Sequence, residues 1–179
     1  MCTGRLVVVV ILLALAITGC VPSGLKSSST PRELKGRVVA VADGDTITIL
    51  DGLMQQHKIR LKGIDAPEKS QAFGQRAKQS LSDLVFGKNV TVTQTKKDRY
   101  GRVVGKVTIG TQDVCLEQIE RGYAWYYRDY ARDVNPTDRD LYQHAEEAAK
   151  KERRGLWADQ HPVEPWLYRR NKRETAAMN

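Results

Sequence analysis

The sequence predicts an α+β fold in which one closed, five-stranded β-barrel is covered by three helices. Five short β-rich runs occur along the chain, and a single amphipathic helix interrupts them before two further helices follow. The chain has 179 residues, of which 41% are hydrophobic and 28% are charged, so it has enough apolar material for one packed domain. A small closed barrel satisfies this order of elements because closure leaves no strand edge unpaired.

Asp-Gly turn signals separate the first three strands. Residues 38–41 and 46–50 are rich in Val, Ile and Thr, and the turn 43–45 between them predicts a β-hairpin. Asp51-Gly52 predicts the next turn, and residues 58–61 then alternate polar and apolar side chains as a third strand. Together the three runs predict an antiparallel meander.

Beyond residue 70 the apolar side chains change from strand alternation to helical spacing. Phe73, Ala77, Leu81 and Leu84 fall on one helical face, and Gly87 is the predicted end of that helix. The remaining predicted elements are strands at 89–95 and 103–109, joined by the basic tip 96–102, and helices at about 114–121 and 138–153. A barrel of the oligonucleotide-binding (OB) type has this order of elements.

The first nineteen residues predict a secretion signal that is not part of the fold. Arg5 gives a positive start, and the apolar run 6–17 is too short to span a bilayer comfortably. The run ends in Thr18-Gly19-Cys20, which resembles a bacterial lipoprotein cleavage site, so Cys20 is the predicted lipidated residue. An ordinary signal peptide, with Cys20 incidental, is the alternative. We therefore expect an exported protein, anchored by lipid to a bacterial membrane and facing the periplasm or the cell exterior.

Composition predicts the remaining boundaries. Residues 20–34 are rich in Ser and Pro and predict a flexible tether, because such a stretch buries too little apolar surface to order itself. The folded domain is predicted at 35–168, and the basic residues 169–179 are predicted to form a disordered tail. Cys115 is then the remaining cysteine of the mature chain, so we expect a buried thiol and no intrachain disulfide.

A formal net charge of +8 predicts a polyanionic partner. Nucleic acid, an anionic membrane and an acidic polymer all satisfy this charge, and the charge alone does not choose among them. The three histidines, His57, His144 and His161, lie far apart in sequence and lack zinc-ligand spacing. This distribution disfavours a nuclease site built from histidine and a metal.

Two acidic clusters are candidates for metal chemistry, one in the turn 43–45 and one at residues 65–68 after the third strand. Phosphodiester cleavage by water needs a cation on the phosphate, a base for the water and fixed positive donors for the transition state. Calcium prefers oxygen ligands, and the guanidinium groups of Arg60 and Arg102 can fork onto phosphate oxygens. The curl of a barrel would bring the two clusters together. Taken singly, each cluster is better explained by ordinary turn or surface chemistry.

In order and spacing, the combined motifs resemble the staphylococcal nuclease (thermonuclease-like) family. The matching segments are Asp43-Gly44-Asp45-Thr46, Arg60-Leu61, Ile64-Asp65-Ala66-Pro67-Glu68, Asp98-Arg99-Tyr100-Gly101-Arg102, Arg121-Gly122-Tyr123-Ala124-Trp125 and Arg153-Arg154-Gly155-Leu156-Trp157. The resemblance covers about residues 35–168. It implies an OB-fold barrel and a calcium-dependent nuclease with little sequence specificity, acting on DNA and, as a second candidate substrate, on RNA.

The resemblance also implies which residues bind the metal ion. Asp45 and Asp65 match the two carboxylates that bind calcium in the family. Ala66 matches a position whose backbone carbonyl is a further ligand. The best-known member has threonine at that position, but a carbonyl ligand does not depend on the side chain.

Three further residues match the family's catalytic groups. Glu68 matches a glutamate that acts as general base or, alternatively, positions water and ligands. Arg60 and Arg102 match the two arginines that bind the phosphate and stabilise its developing charge.

Aromatic and basic residues predict a groove for a nucleic-acid strand. Tyr100 matches a family position that contacts the nucleotide, and Arg99 precedes it in the basic tip. Tyr130 is a second candidate contact, although the match loses register after Trp125. Bases stack on aromatic rings while cations follow the backbone, and each stacked base contributes roughly 1–3 kcal/mol.

Two other functions stay open at this point: a binding module that kept the barrel and lost catalysis, and a lipoprotein with a structural or membrane-surface role. A binding module need not retain the five charged residues Asp45, Arg60, Asp65, Glu68 and Arg102 together, and this chain has all of them. The set therefore favours the enzyme, which we expect to be a monomer.

Overall fold

The computed structural model describes Met1 and residues 32–178 of the chain. The predicted signal peptide, the predicted lipidation site Cys20 and most of the predicted tether lie outside these residues. Among the described residues, no helix combines the length and the apolar character needed to cross a membrane.

The described residues form eight strands, four α-helices and two short 3-10 helices. The strands are β1 (Arg32–Val41), β2 (Thr46–Asp51), β3 (Gln56–Leu61), β4 (Ile64–Asp65), β5 (Asn89–Lys97), β6 (Val103–Ile109), β7 (Gln112–Asp113) and β8 (Trp125–Tyr126). The α-helices are α1 (Gly74–Val85), α2 (Val114–Glu120), α3 (Pro136–Lys151) and α4 (Pro165–Met178), and the 3-10 helices are Arg128–Asp133 and Gly155–Ala158.

Five strands close into the predicted barrel. The order is β3-β2-β1-β5-β6, all neighbours are antiparallel, and a parallel pairing of β3 with β6 completes the ring. The register shifts between Val38 and Ala40 in β1 and between Gln94 and Lys96 in β5. Such irregularities bend strands and increase their twist, which helps so small a sheet to close. The predicted OB-fold barrel is therefore confirmed.

Two apolar clusters hold the elements together. The main cluster fills the barrel and extends under α1, α2 and α3, and it includes the fully buried Ile47, Ile59 and Leu81. A smaller cluster contains Trp125 and Trp157, whose ring centroids are 4.2 Å apart. Edge-to-face rings of this kind stabilise a contact beyond the area that they bury.

A second, two-stranded ladder lies beside the barrel, and sequence periodicity did not predict it. Ile64 of β4 pairs with Tyr126 of β8, and Asp65 pairs with Trp125. Gly63 provides the turn from β3 into β4 with a φ of +79°, a conformation that residues with a Cβ rarely adopt. The ladder therefore fixes the backbone of Asp65 immediately after the barrel strand.

Both ends of the folded region differ from the prediction. Residues 32–34, assigned to the tether, belong to β1 because they pair with β5, as in Arg32 with Gln94 and Leu34 with Val92. The predicted disordered tail 169–179 is instead helical as far as Met178, as part of α4. The three expected helices are present, and α4 is an additional one.

Contacts outside the helix explain why α4 is ordered. The Gln71 side-chain amide donates to the backbone carbonyl of Val163 at 2.6 Å, and the Tyr168 hydroxyl lies 3.0 Å from the Ser70 hydroxyl. The Trp166 ring stacks on Tyr127 with centroids 5.2 Å apart. These contacts hold the beginning of α4 and the residues just before it. Residues 170–178, further along the helix, are exposed.

Candidate functional site

One cleft at the end of the barrel contains every predicted site residue that the structure describes. Its volume is about 1010 Å³. The predicted residues that line it are Asp45, Arg60, Asp65, Ala66, Glu68, Arg99, Tyr100, Arg102 and Tyr130. The closure of the barrel produces this convergence, because β3 and β6 pair directly and bring Arg60 opposite Val104, two residues beyond Arg102.

A buried guanidinium joins the two acidic clusters. The Nη2 atom of Arg60 lies 3.0 Å from Asp45 Oδ2 and 2.8 Å from Asp65 Oδ1. Its Nη1 atom donates to the backbone carbonyls of Leu61 and Ile64, each at 2.9 Å. Both terminal nitrogens of Arg60 are thus engaged by oxygens of the chain itself. Asp65 is completely buried, and a charge in that position requires such partners.

Asp45 is held by neighbouring donors at the start of β2. Its Oδ2 accepts a hydrogen bond from the backbone amide of Ala66 at 2.8 Å, and its Oδ1 accepts one from the Thr46 hydroxyl at 3.0 Å. Burial raises the pKa of Asp45 to about 7, and the nearby carboxylates of Asp43 and Asp65 act in the same direction, whereas Arg60 acts against them. A carboxyl in this position binds a proton readily unless another cation takes its place.

Close packing positions the turn that carries Asp45. A Cβ atom on Gly44 would lie 2.6 Å from the Ala66 Cβ and 2.7 Å from the Ala77 Cβ, so only glycine fits there. The buried side-chain amide of Gln118 donates to the Gly44 carbonyl at 2.9 Å. The turn is therefore clamped between α1 and α2, and Gln118 is a supporting residue that the sequence did not reveal.

Arg102 enters the cleft from the β5–β6 hairpin. Its Nε donates to Asp98 Oδ2 at 2.7 Å, and its Nη1 lies 3.4 Å from the Thr46 hydroxyl. Asp98 also accepts hydrogen bonds from the backbone amides of Tyr100 and Arg102, each at 2.9 Å, which shapes the tip. The Tyr100 ring is largely exposed between Arg99 and Arg102, whose guanidinium carbons lie 4.9 Å and 5.5 Å from its centroid.

A second aromatic group, around Tyr130, also lines the cleft. Tyr130 is 47% exposed, its ring centroid is 4.9 Å from that of Tyr127, and the Lys96 ammonium lies 5.1 Å from its ring. The Tyr127 ring is also stacked by Trp166 of α4, with an interplanar angle of 11°. This group therefore presents aromatic faces beside a lysine, an arrangement on which bases of a single strand can stack.

Glu68 is the last residue of the second acidic cluster. It contacts Arg169, which the sequence placed in the disordered tail. Its Oε1 accepts a hydrogen bond from Arg169 Nη1 at 2.9 Å. The same guanidinium donates to both oxygens of Asp65, at 3.2 Å and 2.7 Å. Burial acts to lower the pKa of Arg169, but these two carboxylates outweigh it and the pKa is raised.

The donor chemistry of the cleft fits a hard divalent cation. The carboxylates of Asp45 and Asp65 both contact the Nη2 atom of Arg60. A cation in the position of that nitrogen would therefore lie within reach of both carboxylates. Carboxylate and carbonyl oxygens are the ligands that calcium prefers. In the part of the chain that the structure describes, no three acidic, histidine or cysteine side chains are arranged around a common metal position. The carboxylates instead face the guanidinium groups of Arg60 and Arg169.

Comparison with known proteins agrees with this geometry. Residues 58–159 match the family described as staphylococcal nuclease homologue. The chain belongs to this family. A Haemophilus influenzae protein named uncharacterized endonuclease is 44% identical over 143 residues, which cover 80% of this chain and 77% of the relative. A Shigella flexneri protein named micrococcal nuclease is 42% identical over 147 residues, covering 77% and 82% of the two chains. An Escherichia coli protein named uncharacterized endonuclease is 41% identical over 142 residues, covering 78% and 88%.

The staphylococcal nuclease match ends before α4, and α4 supplies cleft residues that sequence reasoning missed. Trp166 and Arg169 both line the cleft but lie beyond residue 159. No local signal points to Arg169, because its carboxylate partner Asp65 is 104 positions away in sequence. The sequence placed Trp166 inside the predicted domain 35–168 and gave it no role in the site.

Proposed function

We propose that this member of the staphylococcal nuclease family is a calcium-dependent nuclease that hydrolyses phosphodiester bonds of DNA, with RNA as a second candidate substrate, and with little sequence specificity. The observation that carries the proposal is the convergence of Asp45, Asp65, Glu68 and two arginines in one cleft. Relatives named endonuclease and micrococcal nuclease, at 44% and 42% identity, support hydrolysis of phosphodiester bonds as the reaction of this enzyme.

Asp45, Asp65 and the backbone carbonyl of Ala66 are the proposed metal ligands. The two carboxylates are buried at the end of the barrel, and the backbone of Asp65 is fixed by its pairing with Trp125. A bound calcium ion would neutralise the phosphate and favour deprotonation of a water molecule. Asp43 lies in the same turn, where its Oδ1 accepts a hydrogen bond from the Asp45 amide at 3.2 Å, and this contact shapes the turn.

Glu68 and the two arginines are the proposed catalytic groups. Glu68 is half-buried beside Asp65, where its carboxylate would accept the proton of the attacking water or hold that water in line. Arg102 reaches the same end of the cleft and would bind a phosphate oxygen through its terminal nitrogens. Arg60 holds Asp45 and Asp65 in place, and its Nη2 becomes available to the phosphate when those carboxylates have another positive partner.

Aromatic and basic side chains outside this centre would bind the rest of the strand. Tyr100 and Tyr130 are exposed enough to accept a stacked base, and Arg99 and Lys96 lie against their rings. Stacking accepts every base because each has a π face, and arginine contacts to phosphate carry no sequence information. The arrangement therefore favours cleavage with little sequence preference.

The enzyme is further proposed to act outside the cytosol, attached by lipid to a bacterial membrane. This part of the proposal rests on the sequence alone: the apolar run 6–17 and the lipoprotein-like Thr18-Gly19-Cys20. Attachment through Cys20 would hold the catalytic domain at a membrane surface while the cleft stays accessible to nucleic acid.

A plasmid-nicking assay tests the enzymatic proposal directly. The purified protein is incubated with supercoiled DNA in calcium, in magnesium and in excess chelator. We expect conversion to nicked and linear DNA in calcium, and its loss when the chelator is added. Equal cleavage with and without chelator would show that the reaction does not depend on a divalent cation.

Replacing Arg102 by alanine tests the catalytic roles. We expect turnover to fall by roughly 10²–10³-fold, which is typical when one preorganised transition-state donor is removed. The fold should persist, because the backbone amides of Tyr100 and Arg102 still donate to Asp98 and keep the hairpin tip in shape. Arg121→Ala is the matched control: Arg121 also pairs with a carboxylate four residues earlier, Glu117, but does not line the cleft. Similar turnover of Arg102→Ala and Arg121→Ala would remove Arg102 from the mechanism.

A further inference from the structure

Arg169 of α4 lies where the acidic centre concentrates its negative charge. Its Nη2 is 2.7 Å from Asp65 Oδ2, and its Nη1 is 2.9 Å from Glu68 Oε1 and 3.2 Å from Asp65 Oδ1. One guanidinium therefore bridges a proposed metal ligand and the proposed general base. With Arg60 already on Asp65 Oδ1, both oxygens of Asp65 have a guanidinium partner.

We infer that Arg169 is an intramolecular competitor of the divalent cation, so that this residue sets the affinity of the site for the metal ion. The inference rests on the proposed function, because it assumes that Asp65 is a metal ligand. The Arg169 guanidinium occupies lone pairs on both oxygens of Asp65 and puts a positive charge where a divalent ion would coordinate them. A divalent ion at Asp65 would also repel the positive charge of Arg169 at this distance.

The way in which α4 is attached allows such an exchange. The beginning of the helix is held by the stack of Trp166 on Tyr127 and by the contact of Tyr168 with Ser70. Arg169 follows these anchors directly, and 36% of its side chain is exposed. The guanidinium can therefore leave for solvent without loss of the anchors.

Engagement of Arg169 also keeps Glu68 from acting as a base. The Glu68 Oε1 atom that accepts this hydrogen bond is not free to hold a water molecule or to accept its proton. Release of Arg169 would therefore free the metal ligand and the base in the same step. The enzyme would hold its acidic centre neutralised until a cation of sufficient concentration displaces the arginine.

Calorimetric titration of calcium into the full chain, without nucleic acid, tests the inference. Arg169→Ala should bind calcium roughly tenfold more tightly than the unmodified chain, as expected when about one charge-assisted contact no longer has to be broken. Arg173→Ala is the matched control, because it removes the same charge one turn further along α4 in the same cleft. Among the described residues, no carboxylate lies within ion-pair distance of Arg173. We expect its calcium affinity to change by less than a factor of three.

Thermal unfolding separates competition from a merely structural role. In excess chelator, Arg169→Ala should unfold at a lower temperature than the unmodified chain, because buried Asp65 loses one of its partners. In saturating calcium the variant should gain more in unfolding temperature than the unmodified chain, because it binds the ion more tightly. A purely structural arginine would lower the unfolding temperature by the same amount in both conditions.

The outcomes distinguish this inference from the proposed function. If the unmodified chain binds calcium and nicks DNA while Arg169→Ala has the same calcium affinity, Arg169 is not a competitor and the nuclease proposal stands. An equal gain in affinity for Arg169→Ala and Arg173→Ala would also overturn the inference, because helix charge in general would then be responsible. If neither the unmodified chain nor Arg169→Ala binds calcium, the calcium proposal fails and the inference fails with it.

Discussion

Replacing Gln118 by alanine should destabilise the fold and loosen the turn that carries Asp45. The Gln118 side chain is fully buried in α2. Its amide nitrogen donates to the carbonyls of Gly44 at 2.9 Å and Ala77 at 3.2 Å, and its carbonyl oxygen accepts from the Ser80 hydroxyl at 2.7 Å. One side chain thus connects α2 with α1 and with the first hairpin turn.

The magnitude follows from the partners that would remain. Each buried polar group that loses its hydrogen bond costs roughly 1–3 kcal/mol, and the Ser80 hydroxyl and the Gly44 carbonyl are both buried. The space vacated by the side chain adds to this cost to the extent that the surroundings do not collapse. We therefore expect Gln118→Ala to lower the free energy of unfolding by about 3 kcal/mol, with two hydrogen-bond losses as the main contribution.

Urea unfolding, followed by circular dichroism, measures this loss. The midpoint should fall while the dependence of the free energy on urea stays unchanged, as expected when stability alone changes. Gln143→Ala is the matched control, because Gln143 is an exposed helical glutamine that bonds only to Glu147 in its own helix. The control should change stability by no more than about 0.5 kcal/mol. A loss below about 1 kcal/mol for Gln118→Ala would refute the assumption that the Ser80 hydroxyl and the Gly44 carbonyl stay unsatisfied.

Two titration predictions follow from other buried or bonded groups. Burial raises the pKa of the Cys115 thiol to about 12. A thiol reagent at pH 8 should therefore leave the folded protein unmodified and react with Cys115 once the protein is unfolded in urea. Equal rates of modification in both states would contradict the burial of Cys115. Partial burial acts to raise the pKa of Asp98. Hydrogen bonds from Arg102 and from two backbone amides outweigh this effect and hold the pKa of Asp98 below its usual value of 3.8. A carboxyl with a lowered pKa stabilises the fold above its unfolded pKa and loses that effect as pH falls through its folded pKa. An NMR titration should therefore show the β5–β6 tip intact at pH 4 and a carboxyl midpoint for Asp98 below 3.8, whereas a midpoint at or above 3.8 would contradict the bonding.

The sequence predicted the barrel because the barrel strands have local signals. The β1–β2 hairpin is marked by its Asp-Gly turn, and the change of period after residue 70 marks α1. The two-residue strands β4 and β8 carry no such period, since two residues are too few to alternate. Their pairing depends on tertiary contacts of Asp65 and Trp125, which no window of local sequence contains.

The C-terminal helix shows a different limit of sequence reasoning. Residues 169–179 are basic and poor in large apolar side chains, and such composition is typical of a disordered tail. The structure orders residues 169–178 through contacts that precede them, above all the stack of Trp166 on Tyr127. Composition measures how much surface a segment can bury by itself, and it does not measure the anchor that a neighbouring segment provides.

The site shows the same division between local motif and tertiary partner. Asp45, Asp65 and Glu68 were predicted to meet because two motifs flank strands that a barrel brings together, and the structure places all three in one cleft. The sequence did not indicate which positive groups would face them, because those contacts depend on side-chain geometry. Arg60 was expected to face phosphate, yet its terminal nitrogens contact Leu61, Ile64 and the two aspartates.

The charge of the acidic centre explains why a second arginine is tolerated there. Three carboxylates, those of Asp45, Asp65 and Glu68, face the two guanidinium groups of Arg60 and Arg169. Among these five groups a single negative charge then remains, and burial of Asp45 and Asp65 makes an uncompensated charge there unfavourable. Exchange of Arg169 for a divalent cation would leave the group neutral, whereas addition of the cation without that exchange would leave it positive. Simultaneous binding of Arg169 and the divalent ion is therefore unfavourable. The arrangement of lowest charge is one in which either Arg169 or the ion contacts the carboxylates, but not both.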